Sequence, residues 1–281
     1  MKRLITIGVI IFILGLAVVV AMASGAGRLT AVNTDKEVFD YSDSWADYET
    51  PLPVTEFSVL QWGKSENKGF PSKEQLKIIG RMADGIASFK ISQGGWWECG
   101  EHLTDASAIK DRAAAYAFVI VKAAWEVSDP VENETPFVLN PWGMAGTIFN
   151  ESKFDRCALG AYPRKVAYEI GLLKRSKLTL SHKEEDVLRV VRSKEMAEYF
   201  KHSGFDLGAT QLLSRFWDNP RDFETMISLQ GIEFGAQVMM RRGRFYKTDR
   251  PWLYWPGKKS DWYDAKVKRW AKLLGARDAE I

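Results

Sequence analysis

Pro141-Trp142-Gly143-Met144-Ala145-Gly146-Thr147-Ile148-Phe149 is an apolar run that leads directly into Asn150-Glu151-Ser152-Lys153-Phe154-Asp155-Arg156-Cys157-Ala158. The run reads as a buried helix, and Glu151 falls at its end. Burial disfavours the charged form of a carboxylate and raises its pKa, which suits a general acid working near neutral pH. The ordinary alternative is a helix-end glutamate that faces water. The rest of the chain has to decide between the two.

On the N-terminal side, two more helices are expected. Ser72 and the following Lys-Glu-Gln read as a helix start, with Leu76, Ile79, Met82 and Ile86 spaced for one buried face. Gln93-Gly94-Gly95 breaks that helix. An alanine-rich helix spans about 104–127, ended by Asp129-Pro130, and an acidic loop runs to Pro136. On the C-terminal side, Ser181-His182-Lys183-Glu184 reads as a capping box that opens a charged helix to about His202. Next come a turn at Gly204-Phe205-Asp206-Leu207-Gly208-Ala209-Thr210-Gln211 and an amphipathic helix over 222–240. No stretch alternates like a strand and no repeat is present, so the expected fold class is mainly α.

The chain has 281 residues, 46% hydrophobic and 27% charged, which suits a globular domain with appendages and excludes wholesale disorder. Its net charge is only +3, but residues 239–277 hold twelve Lys or Arg against three Asp. Such a face suits an anionic polymer, or is an ordinary solvated surface. Six aromatics fall in one short window of it: Trp252, Tyr254, Trp255, Trp262, Tyr263 and Trp270. Flat rings line sugar-binding grooves, and they also build cores. Cys99 and Cys157 match no metal pattern, and His102, His182 and His202 lack ligand spacing, so no metal site is expected. Outside the cytoplasm the two cysteines can pair.

Lys2-Arg3 precede an uncharged stretch over 4–23, long enough to span a bilayer. The charge placement puts the N-terminus in the cytoplasm and the rest outside. Ala21-Met22-Ala23 also fits a cleavage site, so residues 1–25 are a signal anchor or a signal peptide, and either exports the domain. Residues 26–70, acidic and then Pro-rich, read as a tether or arm.

Three segments, in order, resemble motifs of the lytic transglycosylases, the goose-type lysozyme-like proteins that cleave peptidoglycan. Glu151-Ser152-x-Phe154-Asp155 resembles the family's Glu-Ser-x-Phe-(Asn/Asp) signature. Gly208-Ala209-Thr210-Gln211-Leu212 resembles its Gly-Leu-Met-Gln segment, and Leu253-Tyr254-Trp255-Pro256-Gly257 its Ala-Tyr-Asn-x-Gly motif, with Trp262-Tyr263-Asp264 opening the last helix. Three departures are plain. About fifty residues separate the first two motifs, Trp255 stands where the family has Asn, and Thr210 where it has Met. The resemblance implies a lysozyme-like helical domain over 71–281 with a helical insertion at about 161–203. It implies Glu151 as the single acid/base, Ser152, Gln211, Tyr254 and Trp255 as substrate contacts, and Tyr254 as the hydroxyl that orients Glu151. It implies no cofactor. The expected partners are peptidoglycan glycan strands, the membrane through the N-terminal segment, and cell-envelope assembly proteins. The expected location is the cell envelope, anchored to the inner membrane and facing the periplasm or extracytoplasmic space, or beyond it after signal cleavage. Nucleic acid is not a partner, because export and the lack of a recognisable module argue against it.

Two alternatives stay open. A hydrolytic muramidase on the same fold needs a second carboxylate, for which Asp105, Asp155 and Asp206 are the candidates. A non-catalytic wall-binding or envelope-assembly protein would grip glycan with Trp252, Trp255 and Trp262.

Overall fold

The computed structural model describes residues 70–128, 137–175, 180–202, 204–213 and 222–281. The apolar segment over 4–23, the arm up to residue 69 and the acidic loop at 129–136 lie outside them. Among the described residues the fold is mainly helical, and no helix is long and apolar enough to cross a membrane.

Helix α1 (Lys73–Ser92) starts where Ser72 and Gln75 exchange side-chain to backbone hydrogen bonds, a full capping box. Its buried face is Gln75, Ile78, Met82, Ile86, Ala87 and Lys90. Met82 and Ile86 lie on the expected stripe, but Gln75 and Ile78 take the buried places at its start and Leu76 stands exposed. Gly94 and Gly95, both at positive φ, make the expected break. A hairpin comes next, β1 (Trp96–Glu98) with β2 (Glu101–Leu103). Helix α2 (Ala106–Glu126), capped by Asp105, lies along α1 and buries Ile109, Ala113, Tyr116 and Ile120.

Helix α3 (Pro141–Ser152) is the most continuously buried helix among the described residues. Asn140 caps it through the amides of Trp142 and Gly143, and every residue from Pro141 to Phe149 is buried. Its glycines permit the close packing. A Cβ on Gly143 would stand 2.1 Å from the Trp252 ring, and one on Gly146 2.4 Å from the Val267 carbonyl oxygen. Helix α9 (Asp261–Leu273) packs along α3 at that contact.

The segment between α3 and residue 206 carries α4 (Ala161–Glu169), α5 (Glu184–Arg192) and α6 (Lys194–Tyr199). Two expectations fail here. The Ser181 capping box is absent, because the Ser181 hydroxyl instead accepts the Gly100 amide at 3.0 Å and α5 starts without a side-chain cap. The single charged helix is two helices, because Ser193 takes extended backbone and caps α6 through the Met196 amide. A second hairpin, β3 (Asp206–Leu207) with β4 (Leu212–Leu213), is also unexpected. Strands of two or three residues are too short to alternate. The helix expected over 222–240 is α7 (Phe223–Met226) and α8 (Gly231–Phe245), interrupted at 227–230.

The tail folds back on α3. The Asn140 amide donates to the Glu280 carbonyl at 2.6 Å, while the Glu280 carboxylate accepts from Arg81 and Arg277. Burial pushes that carboxylate's pKa up, but those donors outweigh it and bring it down to about 2.

Candidate active site

Glu151 is the penultimate residue of α3 and is half-buried. Its Oε1 accepts the hydroxyl of Tyr263, on α9, and the side-chain amide of Asn150 at 3.1 Å. Asn150 is itself held by the Trp270 indole N–H, further along α9. Tyr263 is buried. That burial first, and the Glu151 charge second, push its phenol far above the usual tyrosine range, so it remains a donor across any working pH.

The loop after Glu151 is held from three sides. Lys153 and Phe154 both take left-handed backbone, at φ 57° and 60°. Such conformations persist in non-glycine residues only when neighbours enforce them. Lys90 Nζ donates to the Lys153 carbonyl at 2.5 Å, and the Trp96 indole N–H donates to the Phe154 carbonyl at 3.1 Å. Lys90 is buried, 4.6 Å above the Trp96 ring, and this burial pulls its pKa down to about 8 against the opposing fields of Asp155 and Glu98. Asp155 accepts the amides of Cys99 and Cys157, the two residues joined by the protein's disulfide. Burial raises the Asp155 pKa, and the hydrogen bonds from Ser181 and those two amides oppose the rise.

Beyond this loop, two segments that are distant in sequence join. Leu159 bridges to Leu207, the Gly208 amide donates to the Ala158 carbonyl at 3.0 Å, and Gln211 Nε2 donates to the same carbonyl at 2.8 Å. The fifty-residue separation therefore leaves the Glu151 loop and the Gln211 turn side by side.

The structure gathers some of the sequence-predicted residues and disperses others. Glu151 and Gln211 belong to one continuous structure, although the Gln211 amide nitrogen is spent on Ala158 and Gly208. Ser152 lies beside Glu151, with its hydroxyl turned back to the Ile148 carbonyl. Tyr254 does not orient Glu151. Its ring stacks on Tyr246 at 3.6 Å, and the hydroxyl that reaches the carboxylate is that of Tyr263. Trp255 is buried under the Arg242 guanidinium, 4.9 Å above its ring, and offers no open face. Trp252 is likewise core, filling the notch at Gly143 and donating its indole N–H to Asp264 at 2.8 Å. That notch explains the displacement: it draws the Pro251–Tyr254 turn inward and leaves α9 to face Glu151. In the sequence Tyr263 stands only at the opening of the last helix, and nothing local ties it to a residue 112 positions earlier.

Two of the candidate second carboxylates are occupied elsewhere. Asp105 caps α2, and Asp155 holds the half-cystine amides. Asp206 lies on β3, where its carbonyl accepts the Gly160 amide. Part of the basic tail is committed: Arg250 and Lys268 pair with Asp264, Lys272 with Asp278 and Arg277 with Glu280, while Arg242 donates to the Tyr254 and Trp255 carbonyls.

Comparison with protein-family models, with curated proteins and with solved structures gives no match. The site is therefore read from its own geometry.

Proposed function

We propose that this chain is an exported peptidoglycan lytic transglycosylase on a lysozyme-like helical domain, with Glu151 as its single acid/base. The observation that carries the reading is the Tyr263 hydroxyl bonded to Glu151. It fixes one carboxylate at the end of a buried helix, beside the turn that bears Gln211. Two of the three segments that resemble the family's motifs thus lie side by side at one helix end, and the hydroxyl on Glu151 comes from Tyr263, outside the third. The Cys99–Cys157 disulfide fits an oxidising compartment outside the cytoplasm.

In this mechanism Glu151 starts protonated and gives its proton to the glycosidic oxygen between N-acetylmuramic acid and N-acetylglucosamine. The C1–O bond breaks, and the N-acetyl carbonyl stabilises the positive anomeric carbon. The Glu151 carboxylate then takes the proton of the same sugar's C6 hydroxyl, O6 bonds to C1, and a 1,6-anhydro ring closes. Glu151 ends protonated and no water is consumed. Tyr263 holds one carboxylate oxygen throughout, which leaves the other to carry the proton. Hydrolysis would need a second carboxylate to activate water. The other duties of Asp105 and Asp155 favour the one-carboxylate route.

The test is digestion of purified peptidoglycan, with products read by mass spectrometry and Glu151→Gln alongside. Anhydromuropeptides from the wild type alone are expected. Reducing-end products would make the protein a muramidase. Sedimentation with the wall and no products would make it a binding protein.

A further inference from the structure

Tyr263 points inward to Glu151, but its neighbour Trp262 points out. At 67% exposure Trp262 is the most exposed large apolar side chain among the described residues. The Lys266 ammonium lies 4.0 Å from the Trp262 ring centroid and covers one face. Lys266 is one turn along α9 from both Trp262 and Tyr263, and among the described residues it pairs with no carboxylate. Tyr263, one turn before it on α9, bonds Glu151 at the end of α3. The Lys153 ammonium, lowered in pKa chiefly by burial, responds both to the Glu151 charge and to Lys266.

The local charges do not balance. The Glu151 carboxylate already accepts Tyr263 and Asn150 through its Oε1. Lys153 is spent on the Phe149 and Asn150 carbonyls that end α3. Lys266 remains, and the exposed loop ahead of α9 adds Lys258 and Lys259 against Asp261 alone. An open indole face takes the apolar face of a pyranose ring, and an uncompensated ammonium beside it takes an anion.

We infer that Trp262 and Lys266 form a subsite, next to Glu151, for a glycan that carries carboxylates on its sugar units. On the proposed reading these are the peptide-stem carboxylates of muramyl residues, so the protein would prefer peptide-bearing strands to neutral glycan.

The test uses the full chain carrying Glu151→Gln, so that ligand is held and not cut. Calorimetry compares a peptide-bearing muramyl oligosaccharide with chitotetraose, which is neutral. The peptide-bearing ligand should bind more tightly, with a preference that shrinks as salt rises. Lys266→Met should weaken that ligand about three- to tenfold and leave chitotetraose unchanged. Lys266→Arg should restore most of the loss. Trp262→Ala should weaken both ligands by about tenfold. Trp262 is solvent-facing and Lys266 partly so, and unchanged melting temperatures check that the variants fold. Equal losses for both ligands on Lys266→Met, or no effect of Trp262→Ala, would overturn the subsite. Cleavage by the wild type without any dependence on Trp262 rejects the subsite and spares the enzyme. Trp262-dependent binding without cleavage rejects the enzyme and spares the subsite. Binding of neither ligand rejects both.

Discussion

Tyr263 and Glu151 stand 112 residues apart in sequence and share one hydrogen bond, hydroxyl to carboxylate. The bond joins the last long helix to the end of the central one. On the proposed reading, the orienting role moves to a residue nine positions beyond the one the sequence motif indicates.

Tyr263→Phe should therefore lower kcat by about ten- to a hundredfold, as expected when a positioned donor on the acid is lost, with KM little changed. Tyr254→Phe should stay within about twofold of the wild type, because the Tyr246 stack needs only the ring. Steady-state cleavage of purified strands separates the two. A large loss in Tyr254→Phe alone would return the role to Tyr254.

Lys90 gives a stability prediction with a definite sign. Its folded pKa, about 8, lies below the unfolded 10.5 because burial disfavours the ammonium. Between those pH values the unfolded chain binds more protons, so this group's contribution to stability rises with pH over that window. The full swing is about 3 kcal/mol at ~1.4 kcal/mol per pKa unit. Below pH 8 the ammonium is present in both states and its burial penalty is in force. Lys90→Met removes the titration. Urea unfolding at pH 7 and pH 10 should show the wild type gaining on the variant by roughly that amount. A constant difference would mean that Lys90 titrates normally.

The α3–α9 contact depends on glycine. Gly146→Ala would press a methyl group against the Val267 carbonyl oxygen, so α9 must shift. A loss of about 1–3 kcal/mol is expected from overpacking, and cleavage should fall with it, since α9 carries Tyr263. Denaturant midpoint and activity, measured on the same preparation, test whether the two losses travel together.

The disulfide closes a loop with a sequence separation of 58. In the chain-entropy account its removal by paired Cys99→Ala and Cys157→Ala costs about 4 kcal/mol. Non-reduced protein should show no reactive thiol. Two thiols in the native protein would mean that the bond is not formed.

Much of the helical frame is legible in the sequence, for physical reasons. Helices α1 and α2 announce themselves by caps and a 3.6-residue period, and α3 by an unbroken apolar run. The face of α1 keeps Met82 and Ile86 but departs from its sequence pattern at the start, where Gln75, polar by type, turns inward while it completes the cap. The aromatic tail misleads for a different reason. A tryptophan that fills a notch and one that meets solvent are identical in one dimension. Only the absent Cβ of Gly143 decides that Trp252 is core, and only the packing of α9 decides that Trp262 is not. Ser181 looks like a cap because local spacing cannot reveal that a remote amide, that of Gly100, will claim the hydroxyl.

The hydrogen bond from Asn140 to the Glu280 carbonyl has a consequence for biogenesis. Asn140 is the residue that caps α3, so the start of the central helix is braced by chain made 140 residues later. A nascent chain can build α1 and α2 as it emerges, because their contacts are neighbouring in sequence. It cannot brace α3 until residue 280 has left the ribosome, or, in an exported chain, has crossed the translocon. Completion of the site is thereby coupled to delivery of the tail, and a bulky fusion placed there would interfere with assembly of a helix whose far end holds Glu151.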